Sequence, residues 1–478
     1  MKNKIRYSWS ITFLLLLTPS QIFAAGNLTL DEYLNQVKTQ NDQFKSISLN
    51  QEAAVEKSGE SSLIFKPQIL LEGSSAIDKK HTTNVNAQGD RTDYSQIKAG
   101  LLQQFDFGLK GQLSYKLSHT KIYNASANVL PTPEFKDNAV QLELSQSLWR
   151  NFNGQESKSQ ANLLSAGAEA QKHAEIYKAK VLLANAQNLY WSLSQVDKLI
   201  KVQKESLERA IKIRTWAKRR FDSQLADNTD FLQADAGVKY RQLELETSLQ
   251  DQKNLIRNFN SLRGVNSDVL DIQLEELNAE KIETLVVPNR AEMREDTLAA
   301  LESKKIAEAN AQLAIARNKP TFDVFGSYTL NGRDRDKYAE AVGDAFKNEH
   351  ETAVVGLKFQ APLDFFTTNK TINAYKKEIL ASDHTYRRKV FEQDKEWDEL
   401  VKKFEDAKLR FKLSKQIEEA QKIKASNERN RLNLGRTLTS TVITFEQDLA
   451  SSQQLRIKNE TDIISTYTQL LTFKAGGN

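Results

Sequence analysis

The 478-residue chain contains no cysteine. Disulfide staples, thiolate metal sites, cysteine nucleophiles and a lipid anchor carried on cysteine are excluded with it. The histidines, His81, His119, His173, His350 and His384, are too scattered to offer zinc a site. Breakers are sparse as well, with 18 Gly and 7 Pro, about half or less of the roughly 7% and 5% usual in globular chains. Long uninterrupted elements follow. Charge of one sign hardly prevails, since 67 Lys and Arg face 62 Asp and Glu for a net +5. So weak an excess does not favour nucleic acid as a partner. No HExxH, phosphate-binding glycine loop, GxSxG or carboxylate pair in a cleft-forming context is present. The chain is therefore expected to be neither an enzyme nor a carrier of a cofactor or metal, and GLKGQ at Gly108 marks only a turn.

What is there begins with an export pattern. Lys2, Lys4 and Arg6 precede the apolar stretch Ile11 to Leu17, and Ala24, Ala25 and Gly26 offer small residues for cleavage. Residues 1–25 are thus expected to be a bacterial signal peptide. A membrane-anchoring helix needs about 20 apolar residues, and Pro19, Ser20 and Gln21 interrupt this run too early. No later segment could cross a bilayer as a helix, so any membrane contact must be made by strands.

The remainder is written twice. RRFDSQLADNTDFLQADAGVKYRQLELETSLQDQ from Arg219 matches RNRLNLGRTLTSTVITFEQDLASSQQLRIKNETD from Arg429 in pattern more than identity. Setting Phe221 on Leu432 fixes an offset of 211 (432 − 221), which puts Leu232 on Ile443, Asp235 on Glu446 and Leu262 on Phe473. Upstream, FKPQILLEGS at Phe65 resembles NKPTFDVFGS at Asn318. Each half reads helix, strands, long helix, sharp turn, long helix.

The helical stretches carry a coiled-coil seam. Leu193, Val196, Ile200, Gln203, Leu207 and Ala210 step by three and four residues, as do Trp397, Leu400, Phe404, Ala407, Phe411 and Ser414. Residues 155 to 222 hold no proline and one glycine, and as one helix they would run roughly 100 Å at 1.5 Å per residue. An ordinary bundle with solvated helices is the plainer alternative. KQIEEAQKIK at Lys415 fits a solvated face in either case.

The strand-like stretches alternate strictly. Val355, Leu357, Phe359, Ala361, Leu363 and Phe365 share one face, against Gly356, Lys358, Gln360, Pro362 and Asp364. The same dyad repeats in Val140, Leu142, Leu144 and Leu148, and in Leu109, Leu113, Tyr115 and Leu117. About ten residues of such alternation suit a membrane strand with lipid outside and a polar lumen, although a soluble sandwich shows the same pattern. Trp149, Phe152, Phe325, Tyr328 and Phe366 are candidates for an interfacial girdle. Strands are expected near 64–77, 138–150, 320–331 and 352–366, with a further hairpin at 96–122. The hairpin could join the barrel, extend it or fold over its mouth. His81–Asp93 and Asn331–Glu349 are expected as exterior loops. Four or six strands cannot close alone, since barrels usually start at eight, so several chains must share one barrel.

Export signal, duplicated halves, NRAEMRED at Asn289 before a helix, SQSLWRNFNG at Ser145 ending a strand and LGRT at Leu434 in a helical turn together resemble the TolC-like outer membrane efflux protein family, the outer membrane factors. The likeness covers essentially the whole mature chain and lies in the order and spacing of the motifs. It implies an α+β membrane protein, with a long coiled-coil α-helical barrel continuous with a transmembrane β-barrel shared between protomers of a trimer. Its divisions would be a first repeat at 26–264, an equatorial linker at 265–289 and a second repeat at 290–478. The implied role is the outer membrane channel of a tripartite efflux system, passively exporting small molecules, with the helices in the periplasm. Implied partners are two further copies, a periplasmic adaptor, an inner-membrane pump and outer membrane lipid. A type I protein-secretion duct is the alternative, and a periplasmic coiled-coil adaptor or tether a more distant one.

The resemblance also assigns residues. Leu434, Gly435, Arg436 and Thr437 match the adaptor-docking turn of the second half. In the first half Gln224 and Leu225 stand where the pattern has glycine, a departure from symmetric docking. Asp230, with Asp227 before it, matches an acidic position of the channel constriction. Thr441 and Thr444 occupy the second-half positions where some members place Asp, so a carboxylate ring would be weaker here. An Asp at a helix start also serves as a cap, and Gly435 also permits a positive φ between helices.

Overall fold

The computed structural model describes residues 27–270, 272–276, 278–347 and 349–475. The expected signal peptide lies outside them. In chain order the first elements are β1 (Asn27–Leu28), α1 (Leu30–Gln40), α2 (Asp42–Lys57), α3 (Glu60–Leu63), β2 (Gln68–Asp78) and α4 (Val85–Gln88). Next come β3 (Arg91–Gln104), β4 (Leu109–Tyr123), β5 (Glu134–Ser147), α5 (Gln155–Asp222), α6 (Asn228–Leu262) and β6 (Gln273–Leu274). The chain continues with α7 (Ala279–Glu283), α8 (Glu295–Arg317), β7 (Thr321–Asp334) and α9 (Tyr338–Ala345). It closes with β8 (Glu351–Gln360), α10 (Phe365–Asn433) and α11 (Thr439–Leu471). Among the described residues no helix is long and apolar enough to cross a membrane.

The described residues form two compact units, one from 27–41, Asn185–Leu285 and Ala407–Ser465, the other from Asp42–Ala184, Val286–Asp406 and 466–475. Each draws on both sequence repeats, so the units cut across the repeats instead of separating them. The long helices α5, of 68 residues, and α10, of 69, contribute to both. The seam expected on α10 is buried at Leu400, Phe404, Ala407, Phe411 and Ser414.

In the first unit α1 starts at a capping box. The Thr29 amide donates to Glu32 Oε2 at 2.9 Å, while Thr29 Oγ1 accepts from the Glu32 amide at 3.3 Å. The core there is aromatic. Tyr33 and Phe259 stack with centroids 4.1 Å apart, and Tyr190 lies beside them, all fully buried. A buried phenol needs a partner, and Tyr190 has two. Its hydroxyl donates to the Leu28 carbonyl at 2.5 Å and accepts from the Glu275 amide at 2.9 Å, tying α5 to both sides of the parallel β1–β6 pair. Desolvation pushes the phenol up to about 12.

The second unit is built on one antiparallel sheet in the order β2-β3-β4-β5-β7-β8. Here the structure settles the place of the extra hairpin. β3 and β4 span Arg91–Tyr123 as strands of the sheet between β2 and β5, paired to both neighbours along their length. The expected last strand is corrected at its end, because β8 stops at Gln360. Asp364 terminates the alternation by capping α10, its Oδ1 accepting from the Thr367 amide at 2.9 Å. Ala361, Leu363 and Phe365 therefore lie beyond the strand. The expected exterior loops shrink in turn, as Arg91–Asp93 belong to β3 and Asn331–Asp334 to β7.

The SQSLWRNFNG motif forms the corner where β5 turns into α5. Asn151 Oδ1 accepts from the Glu156 and Ser157 amides at 2.9 and 3.2 Å, and Arg150 holds Glu156 at 2.9 Å. Gly154 adopts φ 72°, and a Cβ there would stand 1.6 Å from the Asp106 carbonyl oxygen. Only glycine lets the β3–β4 turn press against this corner. NRAEMRED forms a second corner before α8. Arg294 grips Asp296 with two bonds of 2.7 and 3.0 Å, reaches Glu396 at 2.9 Å and lies over the ring of Phe473.

Candidate channel wall and entrance

The sheet has one apolar and one polar face. By register Ile69, Leu101, Leu113, Leu142 and Tyr328 lie side by side across β2, β3, β4, β5 and β7. All are 43% to 78% exposed. The flanking rows on this face hold Leu71, Ala99, Tyr115, Val140 and Leu330, and Leu144, Gly326 and Val355. Side chains alternate along a strand, so the other face carries Gln96, Lys98, Gln112, Ser114, Lys116, Ser118, Gln141 and Glu143. Water does not reward so extensive an apolar face, whereas a bilayer does.

The height of the band fits a bilayer too. Along β7 the apolar-side residues run from Phe322 through Val324, Tyr328 and Leu330 to Gly332. The ten steps from Phe322 to Gly332 at about 3.3 Å span roughly 33 Å, and a strand tilt of about 40° reduces this to roughly 25 Å, the usual hydrocarbon-facing band. Past Gly332 the same face becomes charged. Glu134 pairs there with His119 at 2.9 Å and Lys121 at 2.8 Å, and Arg91 with Asp93 at 2.6 Å.

At the opposite end the connections are aromatic. Phe105 and Phe107 fill the β3–β4 turn, Trp149 and Phe152 follow β5, and Phe365 and Phe366 open α10, all exposed. Trp149, Phe152 and Phe366 thus stand at strand ends, where a girdle would lie. Phe325 and Tyr328 do not. Phe325 belongs to the polar face, its ring so close to Gly356 that a Cβ there would stand 2.4 Å away, and Tyr328 sits within the apolar band.

In the first unit the two helical hairpins end in matching turns. Leu225 N–H donates to the Arg220 carbonyl, and Arg436 N–H to the Arg431 carbonyl, both at 2.8 Å. Gln224 N–H reaches Phe221 and Gly435 N–H reaches Leu432, both at 2.9 Å. The 6→1 and 5→2 bonds together are the Schellman closure of a helix. Every position obeys the offset read from the sequence, including the ends of α5 and α10 at Asp222 and Asn433. Gln224 has φ 58° where Gly435 has 66°, so the departure expected in the first half is one of residue type and not of backbone. Gln224 bears the cost of the left-handed conformation, about 1–2 kcal/mol. Ile213, Ala217, Ala234, Leu432, Val442 and Ile443 form the core that joins the turns.

Asp227 is the N-cap of α6, yet its side chain makes no capping bond, and Asp230 lies in the first turn. Among the described residues neither carboxylate takes part in an ion pair. Thr441 is half-buried and Thr444 exposed, its hydroxyl donating to the Ser440 carbonyl at 3.1 Å. Leu225, Leu434 and Arg436 are exposed, and Thr437 is half-buried.

Three solved structures share this architecture. VceC, an outer membrane protein of Vibrio cholerae, superposes with a TM-score of 0.66 at 13% identity, covering 92% of this chain and 95% of its own. The CmeC outer membrane channel of Campylobacter jejuni gives 0.63 at 13% identity, with coverage of 100% and 95%. The open MtrE outer membrane channel of Neisseria gonorrhoeae gives 0.60 at 13% identity, with coverage of 92% and 88%. The chain has the TolC-like outer-membrane channel fold. No protein-family model and no curated protein sequence matches it.

Within this channel fold, carboxylates that sequence motifs did not single out lie behind the turns. Asp235 pairs with Arg214 at 2.6 Å, and its repeat counterpart Glu446 pairs with Arg209 at 2.8 Å and Arg429 at 3.3 Å. Deeper along α11, Glu460 is 1% exposed and held by Lys198 at 2.7 Å, Gln195 at 2.8 Å and Arg456 at 2.8 Å. The offset that aligned Asp235 with Glu446 was the available signal for the first pair. Glu460 had none, because two of its three partners, Gln195 and Lys198, come from α5 and only Arg456 stands on its own helix.

Proposed function

We propose that the protein is the outer membrane channel of a tripartite efflux system, a passive duct for small molecules formed by three copies. The observation that carries this is the sheet, whose apolar band matches a bilayer while both of its edges remain open. β2 and β8 are exposed along almost their whole length, and lipid cannot satisfy open backbone edges. Six antiparallel strands set β2 and β8 in opposite directions, so β8 of one copy can pair antiparallel with β2 of the next. A closed wall then follows from repetition alone. The helices, in this reading, extend the duct through the periplasm.

The turns at Gln224–Leu225 and Leu434–Thr437 are the docking points for a periplasmic adaptor linked to an inner-membrane pump. Asp227, Asp230, Thr441 and Thr444 border the constriction, where unpaired carboxylates repeated by symmetry would attract cations. Support comes from the matching turns and the absence of ion pairs at both aspartates.

Reconstitution into a planar lipid bilayer tests the duct. Stepwise cation-favouring conductance is expected, and recovery as a soluble, non-conducting periplasmic protein would refute the reading. Deleting the gene should sensitise cells to toxic compounds. Loss of a secreted polypeptide with unchanged tolerance would instead assign the duct to type I secretion.

A further inference from the structure

The connection between β7 and β8 contains α9, which lies on the apolar face of the sheet where the rest of that face is open. Its seat is Gly332 on β7. A Cβ at Gly332 would stand 1.9 Å from the Ala341 carbonyl oxygen and 2.4 Å from the Ala345 nitrogen, so helix and strand backbones touch. Ala341 and Ala345, one turn apart, are buried in this contact. Asn138, the register partner of Gly332 on β5, is 1% exposed, and neither polar atom of its side chain has a partner.

The seat itself offers little apolar contact. Two alanines supply it, an unpartnered amide is sealed in, and eight residues form only a marginal helix in water, so the protein holds α9 mainly by polar ties, the Arg333 amide donating to Asp344 Oδ2 at 3.2 Å and Lys136 lying over the Tyr338 ring. The helix nevertheless directs Phe346 away from its seat, at its C-terminus and 63% exposed, with Val342 half-buried beside it, whereas Tyr338 at its start, 37% exposed, lies against Lys136 of β5. The seat also has a defined level. Gly332 and Asn138 form the last row of the apolar band, directly before Lys136 and Asp334 open the charged part of the strands.

We propose that α9 is an interfacial helix that rests in the headgroup layer of the outer leaflet, with Phe346 and Tyr338 at the boundary with the acyl chains. The occupant of its outer side is lipid, continuous with the lipid covering the band. Amphipathic aromatic side chains favour that boundary, and it supplies the apolar contact that the seat lacks. This inference rests on the membrane-channel reading.

The absence of cysteine makes a site-specific test direct. Single substitutions Phe346→Cys, Leu142→Cys and Lys80→Cys would each carry an environment-sensitive fluorophore on the full chain in phospholipid vesicles. Quenchers would be spin labels near the headgroup or deep in the acyl chain, and aqueous iodide. At Phe346 the shallow label should quench about twofold more than the deep one, with iodide quenching well below that at Lys80. Leu142 should respond most to the deep label. Iodide quenching at Phe346 equal to that at Lys80, with Leu142 still in lipid, would overturn the interfacial helix alone. Failure of lipid quenching at Leu142 as well would overturn the membrane reading itself.

Discussion

Gln224 shows how much one residue can hide. Its φ of 58° equals in kind that of Gly435, its counterpart in the second half, yet nothing in its side chain announces the left-handed conformation. The glycine that the resemblance led one to expect there and the 211-residue offset were the pointers to it. Replacing Gln224 with Gly should stabilise the hairpin by about 1 kcal/mol, and Gly435→Ala should destabilise the other by a similar amount. Slower and faster amide exchange at the respective turns would show this. Added bulk is not the issue at Gly435, since a Cβ there meets nothing within 4 Å.

Arg294 is a second residue whose role lies in packing. The NRAEMRED motif was legible as a marker before a helix and contains Asp296, but the grip on Glu396 depends on α10, a hundred residues away. Arg294→Met leaves the half-buried Asp296 with only Lys389, 3.6 Å away, as an ionic partner and should cost about 1–3 kcal/mol at neutral pH. Burial raises the Asp296 carboxyl, but the hydrogen bond and charge of Arg294 outweigh it and hold the group below its ordinary value. Its contribution is thus complete above the ordinary carboxylate pKa of about 3.9 and is lost as pH falls through the lower folded-state value. Asp296→Asn should therefore melt below the parent at pH 7, with the gap closing below about pH 4. A gap independent of pH would contradict the assignment.

Among the elements, strands were legible in their alternation and less so in their ends. The dyad pattern from Val355 continues past Gln360 because Leu363 and Phe365 keep an apolar rhythm, while the cap at Asp364 belongs to the helix that follows. The place of β3 and β4 in the sheet could not be read locally, since pairing depends on partners far along the chain. α9 was hidden in a stretch that composition marks as a polar loop. The α10 seam was visible at five buried positions, whereas on α5 it was partly displaced, with Ser206 buried and Leu207 only half-buried. If the apolar face meets lipid, as proposed, a charge on it is costly. Leu142→Lys should then lower the stability of the sheet in a bilayer by about 2–4 kcal/mol, and Gln141→Lys, on the polar face, by much less. Urea unfolding in vesicles would compare them, and equal losses would deny that the two faces differ in solvent.

At the scale of the whole molecule, each chain provides a six-stranded arc with open edges at β2 and β8 and two hairpins with matching turns. Repeat architecture and long helices were readable from sparse breakers and internal similarity. Copy number was not, because closure is a property of the assembly. The most direct test is the protein mass of the complex extracted from outer membranes in mild detergent. The account predicts the mass of three chains, and a stable single chain would contradict it.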